Sequence, residues 1–173
     1  MCRIWDKLEM YWHIPVDGGM IGLTELKERM RGFLTACEVF PVSFSHAGAV
    51  VRNAGEYIAK LSDDLGEDIV LNDERVETAA YNVYRLRIEG KELELIEPVG
   101  ECFFRDFLLE HGETLQHISY RVHDIDGCFL RVSGNRGVLG LIDKKPRAGV
   151  HGQIAFVKPA FCAPLCLELT EHY

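Results

Sequence analysis

Two stretches of this chain share one unusual feature: a histidine on a strand, followed much later by a glutamate set between apolar neighbours. The first strand is Val42–Val51 (VSFSHAGAVV), with His46, and the second is Leu115–Val122 (LQHISYRV), with His117. In the second, Leu115, His117, Ser119 and Arg121 point one way, and Gln116, Ile118, Tyr120 and Val122 the other. One face is therefore apolar, and the opposite face carries the histidine near the strand start. Glu94 stands in LELI and Glu168 in LCLELT. Glu94 follows His46 by 48 residues, and Glu168 follows His117 by 51. A lone strand histidine is most often a half-buried residue with one hydrogen bond. Two of them, each with a glutamate at nearly the same distance, point to an internal duplication. Two similar halves, each giving a His and a Glu, would make a four-ligand site at their interface.

The segments between these residues run in the order β-α-β-β-β twice, which predicts an α+β fold. In module one Asn53 is placed to cap a helix ending near Leu65 and Gly66, with Tyr57, Ile58, Leu61 and Leu65 as its apolar stripe. A short strand is expected over Glu67–Leu71 and a longer one over Ala80–Ile88. After the turn Glu89-Gly90-Lys91, a third covers Glu92–Glu97 and is stopped by Pro98 and Gly100. Leu93, Leu95 and Glu97 share one of its faces; Glu92, Glu94 and Ile96 share the other. Residues 101–112 predict a linker helix with Phe103, Phe104, Phe107 and Leu108 buried. In module two Asp124-Ile125-Asp126 starts a short helix, weakened by Gly127, Ser133 and Gly134. Strands are expected over Val138–Ile142, Gln153–Val157 and Leu165–Thr170, with a loop over Lys144–Gly152.

The predicted organisation is an N-terminal helical extension, 1–40, and one domain, 41–173. That domain comprises module one (41–100), a linker helix (101–113) and module two (114–173). Met1–Met20 holds Trp5, Tyr11, Trp12, Pro15 and the turn Asp17-Gly18-Gly19. Thr24 can cap a helix to about Val39, with Leu26, Met30, Phe33, Leu34 and Cys37 on one stripe. Such a helix packs on the domain or on a second subunit. It carries no chemistry, and His13 reads as structural.

Net charge is −8 and no basic cluster stands out, which argues against nucleic acid as a partner. The N-terminus has no basic segment leading into an apolar run, and no stretch reaches the roughly 18 apolar residues of a membrane span. A cytoplasmic protein with no membrane partner is expected. Six cysteines (Cys2, Cys37, Cys102, Cys128, Cys162, Cys166) read as reduced thiols, mostly small core residues. Cys162 and Cys166 stand close to Glu168, but no second Cys/His pair completes a zinc site with them.

With this plan the chain resembles the vicinal-oxygen-chelate superfamily of glyoxalase I, extradiol dioxygenases, antibiotic-resistance proteins and methylmalonyl-CoA epimerase. Within it the likeness is greatest to methylmalonyl-CoA epimerases, through HAGAVVRNAGEYIAKLSDDLG (46–66), KELELIEPVG (91–100), LQHISYRVHDID (115–126), GLIDKKPRAGVHGQIAFVKP (140–159) and LCLELTE (165–171). It covers about residues 42–172, most strongly in module two, and is absent over the first 40. The resemblance implies paired β-α-β-β-β modules forming a cupped mixed sheet around one divalent metal ion, with His46, Glu94, His117 and Glu168 as ligands. Three departures bear on the subfamily. Epimerases often have glutamine at the place of Glu94, where glutamate is more like glyoxalase I. They often have a second histidine at the place of Gln116. Some carry a further acid–base glutamate on the strand that here contains Asn82.

Two imidazoles and two carboxylates suit Co²⁺, Ni²⁺, Mn²⁺, Fe²⁺ or Zn²⁺. The resemblance implies α-proton abstraction from methylmalonyl-CoA or a similar acyl-CoA, through an enolate that the metal stabilises. Epimerisation needs proton removal on one face and return on the other, with Glu168 and then Glu94 as the candidate acid–base pair. Lys144, Lys145 and Arg147, near Lys158, would meet CoA phosphates; Arg52 and Lys60 are further options. A glyoxalase I-like lyase acting on a thiol adduct uses the same logic and is the alternative favoured by Glu94. A ligand-sequestering binding protein of the same fold is the alternative from another class, and the complete His/Glu set argues against it. An extradiol dioxygenase would need only two His and one Glu and ranks last. Proteins of this superfamily commonly pair, so a homodimer is expected.

Overall fold

The computed structural model describes residues 12, 14–16, 19–65, 70–88, 90–149 and 152–172. The chain is a mixed α+β protein whose main sheet has nine strands. It divides into two compact units: Met1–Trp12 with His46–Gln116, and His13–Ser45 with His117–Tyr173.

The first unit holds most of β3 (Ser43–Val50), α2 (Ala54–Leu65), β4 (Val70–Glu77), β5 (Tyr81–Ile88), β6 (Lys91–Pro98) and α3 (Phe103–His111). Its strand order is β4-β5-β6-β3, with β3 parallel to β6 and the other neighbours antiparallel. Asn53 starts α2 as expected: its Oδ1 accepts from the Glu56 amide at 3.0 Å, and its own amide donates to Glu56 Oε1 at 3.4 Å. The alternation read in β6 also holds. Leu93 and Leu95 are fully buried, and their partners across β5 are Leu86 and Tyr84. On the opposite face Val50, Val83 and Ile96 pack with Phe104 and Phe107 of α3. Phe103 and Leu108 are only partly buried, so the covered stripe of α3 is narrower than the sequence suggested. Gly112, at φ 75°, ends that helix in a conformation that favours glycine.

One expectation in this unit needs adjusting. The strand sought at Glu67–Leu71 lies partly outside the described residues, and β4 runs on to Glu77. Asn72, Asp73 and Glu74 argue against a strand by composition. An edge strand tolerates them because its outer side needs no partner, and β4 is the end of the sheet order.

The second unit holds β1 (Ile14–Val16), β2 (Gly19–Ile21), α1 (Leu23–Ala36), most of β7 (Thr114–Arg121), α4 (Ile125–Ser133), β8 (Val138–Leu141), β9 (Arg147–Ala148), β10 (Gly152–Pro159) and β11 (Cys166–His172). Its strand order is β7-β11-β10-β8, with β9 also on β10. β7 and β11 are parallel, and β10 is antiparallel to β11, β8 and β9. Ile118, Tyr120, Ala155, Val157, Leu167 and Leu169 are buried. Helix α4 contacts β8, β10 and β11 and buries Ile125, Cys128, Phe129 and Val132. Asp124 caps it, accepting from the Gly127 amide at 3.2 Å, which offsets the weak helix formers inside.

Helix α1 buries Leu23, Leu26, Met30 and Leu34, and Cys37 follows at its end. It starts one residue before Thr24, so Thr24 is not its cap; Gly22 holds that place without a side-chain bond. The buried Leu23 explains the earlier start. The helix also stops at Ala36, short of Val39. The helix belongs to the second unit, and Tyr120 Oη on β7 donates to the Lys27 carbonyl at 2.7 Å. The short β1–β2 pair before it was not expected, although the sequence there carries the turn-like Asp17-Gly18-Gly19. His13, Trp5 and Tyr11 lie outside the described residues. The loop expected over Lys144–Gly152 contains β9, pinned to Gln153 and Ile154. No helix among the described residues is long and apolar enough to cross a membrane.

Candidate metal centre

In the first unit β3 and β6 run parallel with His46 opposite Glu92 and Gly48 opposite Glu94. His46 and Glu94 therefore share a sheet face, and both are buried, at 6% and 8% exposure. The His46 Nε2 atom lies 3.4 Å from Glu94 Oε2. Across the β5–β6 ladder, Arg85 stands directly opposite Glu94. Its Nε and Nη2 donate to Glu94 Oε1 at 2.9 and 2.8 Å.

In the second unit β7 and β11 place Cys166 opposite His117 and Glu168 opposite Ser119. His117, Ser119 and Glu168 share one face, with exposures of 1%, 0% and 5%. The His117 Nε2 atom lies 3.9 Å from Glu168 Oε2. Phe156 of β10, opposite Glu168 in register, sets its ring edge-on to the His117 imidazole at 5.2 Å. That ring closes one side of the pair with apolar surface.

The two pairs have the same make, one per unit. Two donors each about 2.1 Å from a common ion stand roughly 3.0–3.5 Å apart. The His46–Glu94 spacing of 3.4 Å fits that span, and the His117–Glu168 spacing of 3.9 Å exceeds it by a few tenths of an ångström. Both are too long for strong hydrogen bonds. His46, His117 and Glu168 are all buried, and each offers one ligand atom for a metal ion; among the described residues Glu94, the fourth expected ligand, is not in that group. Imidazole and carboxylate donors suit a borderline to hard divalent ion, so the residues present fit such a group.

The other expected site residues differ from these. Lys144 and Lys145 are exposed. Arg147 is tied down: its Nε donates to Asp143 Oδ1 at 2.8 Å, and its guanidinium lies 5.8 Å from the centre of the Phe156 ring. Asp143 Oδ2 in turn accepts from the Phe156 amide at 2.9 Å, so the start of this loop is fastened to β10. Asn82 does not occupy the β5 place beside Glu94. It pairs with Glu97 and falls on the opposite face, and Arg85 is the residue across from Glu94. Nothing in the sequence alone pointed to Arg85, Asp143 or Phe156. Cys162 and Cys166 are core residues, and burial pushes the Cys162 thiol up to about 12.

Comparison with known proteins places this geometry. A family model described as Glyoxalase/Bleomycin resistance protein/Dioxygenase superfamily matches residues 45–156. No curated protein matches the sequence. A hypothetical protein from Bacillus halodurans C-125 superposes with TM-score 0.64 at 24% identity, over 76% of this chain and 94% of that one. Methylmalonyl-CoA epimerase from Mycobacterium tuberculosis gives 0.62 at 23% identity, over 80% and 95%. A Ser-to-Thr variant of Streptomyces coelicolor methylmalonyl-CoA epimerase, in complex with 2-nitronate-propionyl-CoA, gives 0.61 at 21%, over 77% and 96%. At these identities the likeness establishes the fold alone.

Proposed function

Because the chain belongs to the glyoxalase/bleomycin resistance protein/dioxygenase superfamily, we propose that it is a metal-dependent isomerase acting on a small-acid thioester of CoA, of the methylmalonyl-CoA type. The observation that carries the reading is the buried His–Glu pair repeated in each unit, His46 with Glu94 and His117 with Glu168. Buried carboxylates and imidazoles in apolar strands are costly unless something offsets their desolvation. Arg85 offsets part of it at Glu94, and a bound divalent ion would offset the rest. Two of the structural neighbours are methylmalonyl-CoA epimerases, one of them bound to a CoA ester, which favours the same substrate class.

A divalent ion held by these residues would supply Lewis-acid polarisation of a substrate carbonyl. The protein's own groups do the rest. The Glu168 carboxylate takes the proton from Cα, and the electron pair of the C–H bond moves into the enolate. Glu168 passes that proton on to water, and a proton delivered by water to the other face of Cα regenerates the inverted thioester. Phe156 and the apolar strand neighbours limit water near the carboxylate. Lys144 and Lys145, exposed on the loop before β9, are the proposed contacts for CoA phosphates, with Arg147 as a third once its pairing with Asp143 yields. The functional unit is proposed to be a homodimer.

A second reading, a glyoxalase I-like lyase, is favoured by one observation: position 94 carries a carboxylate held by an arginine. The two are separated by one pair of assays. Metal-loaded protein is incubated in D₂O with methylmalonyl-CoA, and separately with the methylglyoxal–glutathione hemithioacetal. Deuterium entering the α-position of the first supports the isomerase. Product from the hemithioacetal alone transfers the assignment to the lyase, and inertness toward both at full metal occupancy sinks the enzymatic reading.

A further inference from the structure

We propose that Arg85 is a positioning residue of the metal centre, which grips Glu94 by Oε1 and so leaves Oε2 as the one oxygen Glu94 presents beside His46. This rests on the metal reading above and deepens it. The β5–β6 register sets the arginine directly across from the glutamate, so its place is dictated by backbone pairing. Both of its bonds, from Nε at 2.9 Å and Nη2 at 2.8 Å, end on the same oxygen. The two side chains are 15% and 11% exposed, so water competes little for that oxygen. The other oxygen is the one 3.4 Å from His46 Nε2.

A carboxylate can ligate through one oxygen or both. With two charge-assisted N–H donors on Oε1, the two-oxygen mode is disfavoured and the rotation of the carboxylate is set. The geometry also separates the two glutamates. For Glu94 to reach toward a substrate, both arginine bonds must break. Glu94 is therefore a fixed ligand, and proton transfer falls to Glu168. Groups that orient ligands in this way typically change metal affinity by about 10- to 100-fold when removed.

The test is a Co²⁺ titration of metal-free protein, read by affinity and by the visible absorption bands that report coordination. The chains compared are the parent, Arg85→Gln, Arg85→Lys, Glu94→Ala and the Arg85→Gln/Glu94→Ala double variant. Arg85→Gln is expected to weaken Co²⁺ binding by about 10- to 100-fold and to shift the bands. Arg85→Lys, which keeps the charge but not the two-pronged grip, is expected to lose less affinity and still show shifted bands. In the Glu94→Ala background the Arg85 change should weaken binding no further, because the arginine acts only through Glu94. Parent-like affinity and bands in Arg85→Lys and Arg85→Gln overturn the proposal, and so does an equal loss in both backgrounds. A parent chain that takes up no Co²⁺ overturns the metal reading itself, and the role of Arg85 with it.

Discussion

Glu94 and Glu168 occupy matching places in two similar strands, yet their surroundings differ in a way that assigns them different work. An arginine fork holds the first, whereas an aromatic ring and an imidazole flank the second. In the proposed reaction Glu168 is both ligand and base. Glu168→Gln keeps the size and one oxygen donor but cannot take up a proton. At saturating metal it should lose about a hundredfold or more in α-proton exchange, the scale of general-base catalysis. His46→Ala should lose metal and exchange together. Near-parent exchange in a fully loaded Glu168→Gln chain would leave Glu168 a ligand only. These four side chains were legible in the sequence because each is a polar residue in an apolar strand, and such residues stand out against period-two alternation. Arg85 was not legible. Its meaning depends on which residue of β6 it faces, and alternation in each strand alone permits several registers.

At the scale of elements, the strands and helices of the β-α-β-β-β plan were largely readable, since hydrophobic period and turn residues agree there. The exceptions are edge pieces: the polar run of β4, the two-residue β9 and the β1–β2 pair. The pairing of β4 and β9 comes from their neighbours β5 and β10, not from their own composition. Helix α1 was visible as an amphipathic stripe, but a stripe states only that a face is covered. It does not state what the helix is tied to, and here Tyr120 of β7 fastens it. The Tyr120 hydroxyl donates to the Lys27 carbonyl, and burial pushes its pKa up to about 12, with Arg31 drawing it down and Glu28 raising it. Below about 10 the phenol is protonated both folded and unfolded, so its contribution to stability is whole at neutral pH. Above that the unfolded chain gives up the proton first, and stability falls as pH rises toward about 12. Tyr120→Phe should cost about 1 kcal/mol near neutral pH and show a shallower alkaline decline in chemical denaturation. An unchanged alkaline slope would mean that α1 is not held through this hydroxyl.

For the whole molecule, there are two compact units, each with one His–Glu pair on a strand face. Two donors hold a divalent ion weakly and four hold it far more strongly, and the proposal above draws all four on one ion. One ion ligated by both units would bind only the fully folded chain, and so would stabilise it as a whole. Ligand at about a hundred times its Kd adds about 2.7 kcal/mol. For a chain of this size each kcal/mol shifts the melting temperature by roughly 2–4 °C, so the combined effect is about 5–10 °C. Chelator-treated and metal-saturated protein should therefore each melt in one transition, separated by that amount, with one ion bound per chain. The decisive comparison is between His46→Ala and His117→Ala. If one ion draws on both units, either change alone removes most of the metal and most of the shift. If each unit instead holds its own ion, the parent binds two, and each variant keeps the ion of the unmutated unit with part of the shift. Two ions per parent chain, or half-retention in the variants, would refute the shared site and with it the reaction built on four converging ligands.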